Sequence, residues 1–155
     1  MTTLIAITGA LLAAALQARM PGLSWLAGVR LEFVPAVVVY GSFTLRRKQA
    51  LLLAALAAMA QDALSAGPFG LSVLAYGLAA LLITATREVL DRDLPWVQFG
   101  AGAMTCGTVA VLQFFVVGIS FTLLFKLMLV ALITGIVTVV LFFALDYFRL
   151  LWAPA

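Results

Sequence analysis

Few side chains in this 155-residue chain are equipped for chemistry, and Asp62 most needs a reason. It sits in Ala60-Gln61-Asp62-Ala63-Leu64-Ser65-Ala66-Gly67-Pro68-Phe69-Gly70, where an apolar run ends in a tight Gly-Pro-Phe-Gly turn. A carboxylate in a lipid-spanning helix costs on the order of 2.5–3.5 kcal/mol at the helix centre and less towards its ends. Such an acid belongs on a face turned to protein or water. Arg30 is the expected cationic partner, with Lys126 competing, and Glu32 is the second acid of the same region. Alternatively, Asp62 caps the N–H groups that open where Gly67, Pro68 and Gly70 lead into the next helix.

Other chemistries lack their residues. With no histidine there is no imidazole relay or His-based metal site. No H-E-x-x-H motif and no G-x-S-x-G elbow occur. Ser65 has no lysine near it in sequence and stands where a turn favours serine. Asp91 and Asp93 share a loop with no glycine-rich phosphate cradle. The lone Cys106, in an apolar segment, has no disulfide partner and reads as a small buried hydrophobe. The expectation is a non-enzyme with no cofactor and no metal.

The elements that hold these residues are greasy. The chain is 66% hydrophobic and 10% charged, with mean hydropathy +1.23, more apolar surface than a soluble domain of this length can hide. The fold expected is an all-α integral membrane protein, one transmembrane domain over 1–155. At about 20 residues per span the length allows roughly six helices with short connections. The net charge of +3 bears on orientation, and no basic–aromatic platform for nucleic acid exists.

The segments follow in order. The first, Thr2 to Ala18, reads as a retained helix because no basic run precedes it. Its Ala10, Ala14 and Ala18 form a small-xxx-small ridge, for packing in the bundle or for docking a partner helix. Arg19 to Arg30 is expected at the interface, with Trp25 at headgroup level. Leu31 to Leu45 is a short helix with Glu32 and Pro35 in its first turns, where proline is tolerated. It is short enough to thin the bilayer or to start as a re-entrant piece.

Gln49 to Leu64 places Ala54, Ala57, Ala58, Gln61 and Asp62 on one face, opposite Leu52, Leu56 and Met59. Leu71 to Thr86 aligns Ser72, Tyr76, Ala79 and Ala80. Arg87 to Trp96 is a solvated charged loop. Val97 to Val117 is rich in glycine and alanine. Leu127 to Leu145 carries Ala131, Thr134, Gly135 and Thr138 along one face and ends at the interfacial group Asp146, Tyr147, Arg149 and Trp152. With both termini inside, the inner side holds Arg46, Arg47, Lys48, Arg87, Arg92 and Arg149, and the outer side only Arg19, Arg30 and Lys126. That imbalance favours N-in/C-in.

The middle of the chain, about Arg30 to Ile83, resembles the MreD family of rod-shape-determining membrane proteins of bacteria. The residues that carry the resemblance are Arg30-Leu31-Glu32-Phe33-Val34-Pro35, then Arg46-Arg47-Lys48, then Gln61-Asp62-Ala63-Leu64-Ser65-Ala66-Gly67-Pro68-Phe69-Gly70. The family's usual Pro-Asp step is absent, and Ala57, Ala58 and Ala60 stand where glycines commonly precede the Asp. The resemblance implies a non-catalytic inner-membrane scaffold of the cell-elongation machinery. Its partner would be the bitopic protein MreC and, through it, the RodA glycosyltransferase with its transpeptidase, with MreB filaments on the cytoplasmic side. In a second resemblance, to substrate-binding components of energy-coupling-factor vitamin transporters, Glu32, Asp62, Tyr76 and Lys126 would line a ligand pocket.

Overall fold

The computed structural model describes residues 2–19, 32–64, 70–118 and 120–151. They form six helices: α1 Thr2–Arg19, α2 Val34–Thr44, α3 Arg47–Leu64, α4 Leu71–Thr86, α5 Pro95–Val117 and α6 Phe121–Leu151. Arg30, Gly67 and Pro68, and the loop holding Trp25, lie outside the described residues.

The shortest helix is the hub. Eleven residues give α2 a length of about 16 Å, half a bilayer core. Its side chains are apolar all round, and Val34, Ala36, Val38 and Val39 are wholly buried. A helix with no polar face is buried on every side, and α2 touches all five other helices. Around it α1 packs on α3, α3 on α4, α4 on α5 and α5 on α6. Among the described residues α1 and α6 do not meet, so the surrounding helices form an open C.

Small residues set these approaches. The α3 face expected to be inward is so: Ala54, Ala57, Ala58 and Asp62 are buried, while Leu52, Leu56 and Met59 are exposed. Likewise Ser72, Tyr76, Ala79 and Ala80 of α4 all point inward. At the α5–α6 crossing Gly102 lies against Thr138 and the backbone of Gly135, and Gly135 lies against Phe99. Ala10 and Ala14 are buried in the same core as Val34, Val38, Ala54 and Ala57. That part of the α1 ridge packs against this chain's own helices, and the Ala18 side chain lies outside the described set.

Two helices, Pro95–Val116 and Phe121–Tyr147, are long and apolar enough to cross a membrane by length and composition. Most of their surface is not covered by the bundle: Phe115, Phe121, Phe125 and Phe143 are all more than 70% exposed. Apolar exposure on that scale marks contact with lipid or another protein.

Three boundaries differ from expectation. α2 begins at Val34, so Glu32 precedes the helix; Pro35 takes its first turn, where a missing N–H costs nothing. α5 starts at Pro95 and takes in Trp96. α6 begins six residues earlier than expected and runs on to Leu151, because Phe121 to Phe125 and Tyr147 to Leu151 prolong its pattern without a breaker.

Candidate functional site

Two polar clusters interrupt the apolar bundle, one at each end of α2. At the end shared by the α2–α3 turn, the α4–α5 loop and the last turns of α6, Arg87 Nη1 donates to the Leu45 carbonyl at 2.7 Å. It thereby satisfies an acceptor left open where α2 stops. Tyr40 Oη donates to Asp146 Oδ1 at 3.1 Å, and its ring meets Phe142 edge-on at 4.9 Å. Arg92 pairs with Asp93 at 3.2 Å and reaches Asp146 at 4.0 Å. Gln98 Nε2 donates to the Arg92 carbonyl at 2.7 Å, tying the loop to α5. Arg46, Arg47 and Lys48 are exposed beside this cluster. These contacts close loops, and such half-exposed pairs contribute little to stability.

The opposite cluster holds the acids. Asp62, in the last turn of α3, is 5% exposed, and its Oδ2 accepts the Gly70 N–H at 2.7 Å. Gly70 has φ of +99°, a backbone state that side chains with a Cβ rarely adopt, and it opens α4 by accepting the Leu74 N–H. Asp62 therefore joins the end of α3 to the start of α4, which is the capping role. The expected pair with Arg30 involves a residue outside the described set. The competing partner is corrected: Lys126 is exposed within α6, and among the described residues no ion pair joins it to Asp62. Because α6 starts at Phe121, Lys126 belongs to a helical face turned outward.

Glu32 lies just before α2, and Cys106 Sγ donates to its Oε2 at 3.2 Å. Cys106 is thus a hydrogen-bond donor to a carboxyl as well as a buried small side chain, a correction to the purely hydrophobic reading. Glu32, Cys106 and Asp62 all lie within electrostatic range of the Tyr76 ring, which is 1% exposed. Beside Cys106 on α6 is Thr134, wholly buried, whose hydroxyl has no hydrogen bond of good geometry. Among the described residues no three Cys, Asp or Glu side chains converge as a metal site would require.

One residue of this cluster escaped sequence reasoning. Gln17, 8% exposed at the end of α1, accepts from the backbone N–H groups of Phe33 (3.1 Å) and Val34 (3.4 Å). No residue at the start of α2 caps it with a side chain, so α1 supplies the acceptor from another helix. The available signal was a lone amide ending an apolar helix seventeen positions before an uncapped one. Gln17→Leu is expected to destabilise the fold by about 1–2 kcal/mol, and Gln17→Glu, which keeps an acceptor, by less. Paired urea titrations in detergent measure the difference.

No family model, no curated protein and no solved structure matches this chain.

Proposed function

We propose that this chain is a non-catalytic, multi-pass scaffold of the bacterial inner membrane, in the cell-elongation complex, and that it binds an MreC-like bitopic protein. The observation that carries the reading is the state of Asp62. Its carboxylate is buried and held by the Gly70 N–H, so the acid serves the Asp-to-Gly turn on which the resemblance to MreD rests. A ligand-binding acid would keep its oxygens free for a guest.

The open side of the bundle gives a partner span a place to sit. α1 and α6 do not meet, and α1 turns Leu11, Leu12 and Leu16 outward. A single apolar helix laid between them would close the C and cover the outward leucines, leaving Ala10 and Ala14 packed as they are. Association of this kind is driven by van der Waals packing between helices. RodA with its transpeptidase, and the MreB filaments, join through that partner in this reading.

The transporter-component reading draws on one observation, the Glu32–Cys106–Tyr76 cluster beside Asp62. Affinity purification of the tagged chain from membranes, with bound proteins identified, separates the two. Recovery of an MreC-like bitopic protein and wall synthases is the expected result. Recovery of paired ATPases with a transducing membrane subunit overturns it.

A further inference from the structure

Glu32 is a carboxyl in surroundings that do not suit a free anion. Its one described partner is a thiol, Cys106 Sγ at 3.2 Å, and no ion pair among the described residues reaches it. The groups that face it are Tyr76 from α4, Cys106 from α5 and Asp62 from α3, none of them a cation. On the α1 side stands Gln17, a neutral amide engaged with the next two backbone N–H groups. Two acids around one buried phenol resist simultaneous ionisation, because a low-dielectric interior penalises each charge and their mutual repulsion adds to it.

The depth sharpens the problem. Cys106 stands about 16 Å along α5 from Pro95, close to the middle of a bilayer core. Acids at such depth are paired or serve an ion.

The second observation is independent of the acids. Thr134 Oγ1 is wholly buried beside the Cys106 sulphur and lacks a hydrogen-bond partner. A buried hydroxyl left unpaired forfeits about 1–3 kcal/mol, and in native proteins such an atom commonly marks a missing water or ion.

We propose that Glu32 is the binding site of one monovalent cation, a proton or sodium, completed by the hydroxyls of Thr134 and Tyr76. The oxygens are hard donors, suited to a hard cation, and Cys106 stays a thiol that orients the carboxyl. The scarcity of carboxylates fits a single charge and disfavours a divalent ion. The site is independent of the partner proposed above.

Thermal unfolding of the purified full chain in detergent tests it, with sodium chloride against choline chloride at equal ionic strength, at pH 8 and pH 5. At pH 8 sodium is expected to raise Tm by about 3–6 °C, the scale of a ligand present well above its Kd. At pH 5 the two salts give the same Tm, because a proton holds the site. Glu32→Gln, neutral and similar in shape, removes both the sodium and the acid response. Thr134→Val keeps the acid response and moves the sodium midpoint up about tenfold, the loss of one oxygen ligand.

Acid stabilisation that depends on Glu32, without a sodium effect, assigns the site to the proton. A Tm indifferent to sodium and acid, or an acid response that survives in Glu32→Gln, overturns the proposal. Should Glu32→Gln fail to accumulate, infrared spectra of the wild type carry the test. A protonated-carboxyl band that fades on adding sodium at constant pH, or on raising pH in its absence, supports the site; its absence at both pH values, with no sodium effect on Tm, overturns it.

Discussion

Asp62→Ala is expected to lower the stability of the bundle by about 2–3 kcal/mol. The figure follows from what the carboxylate does. A charge-assisted hydrogen bond to a backbone N–H contributes roughly 1.5–3 kcal/mol, and removing the acceptor leaves the Gly70 N–H to find another partner. Asp62→Asn keeps an acceptor oxygen at the same place and should lose about half as much, the charged share of the bond. Gly70→Ala strains the same junction from the other side: φ of +99° is open to glycine and costly for alanine, by about 1 kcal/mol or more. Because Asp62 and Gly70 act on one bond, the double variant should lose less than the sum of the two singles. Urea unfolding in detergent micelles, read by helical circular dichroism, measures all four proteins. An Asp62→Ala variant as stable as the wild type would remove the capping role, and with it the main support for a turn-forming acid.

Helix faces were legible in the sequence, and their ends less so. The inward faces of α3 and α4 follow from the spacing of Ala54, Ala57, Ala58 and Asp62 and of Ser72, Tyr76, Ala79 and Ala80. In a lipid-like setting, size replaces hydrophobicity as the signal: small residues mark where backbones approach, and leucines mark what is left outside. α2 gave no such signal, since a rod of valines buried on all sides has no face to read. Its position as hub comes from the other five helices. The ends of α6 were misjudged because Phe121 and Tyr147 have no glycine or proline beside them to stop the helix.

Contacts between distant segments could not be read from local pattern. Cys106 lies 74 positions from Glu32, Asp146 lies 106 from Tyr40, and Gln17 caps a helix it is not part of. Each is a side chain whose role depends on which helices become neighbours. The Asp62–Gly70 bond spans only eight positions and was open to local reasoning, because an acid ending one helix and a glycine opening the next share one turn. Lys126 shows the converse. Charge and topology made it a candidate partner, but its place on an outward face of α6 decides otherwise.

Gly135→Val should be the most damaging single change in α6. A Cβ at Gly135 would come within 2.8 Å of Phe99 Cδ2 and 2.9 Å of the Phe99 carbonyl oxygen. A ring can turn aside, but a carbonyl moves only with its helix, so α5 and α6 must separate. Overpacking of this kind costs about 1–3 kcal/mol and more where backbone is involved. The top of that range is expected here, since α5 and α6 form the most extensive helix pair in the bundle. Gly100→Ala, one turn from the same crossing, is the control. Its added Cβ meets nothing within 4 Å, and replacing an exposed helical glycine by alanine stabilises by about 0.5–1 kcal/mol. The two substitutions add methyl groups to the same helical hairpin, and their effects should have opposite signs. Thermal unfolding of both variants against the wild type decides it: equal shifts would mean that the close crossing does not hold α5 and α6 together, and opposite shifts that it does.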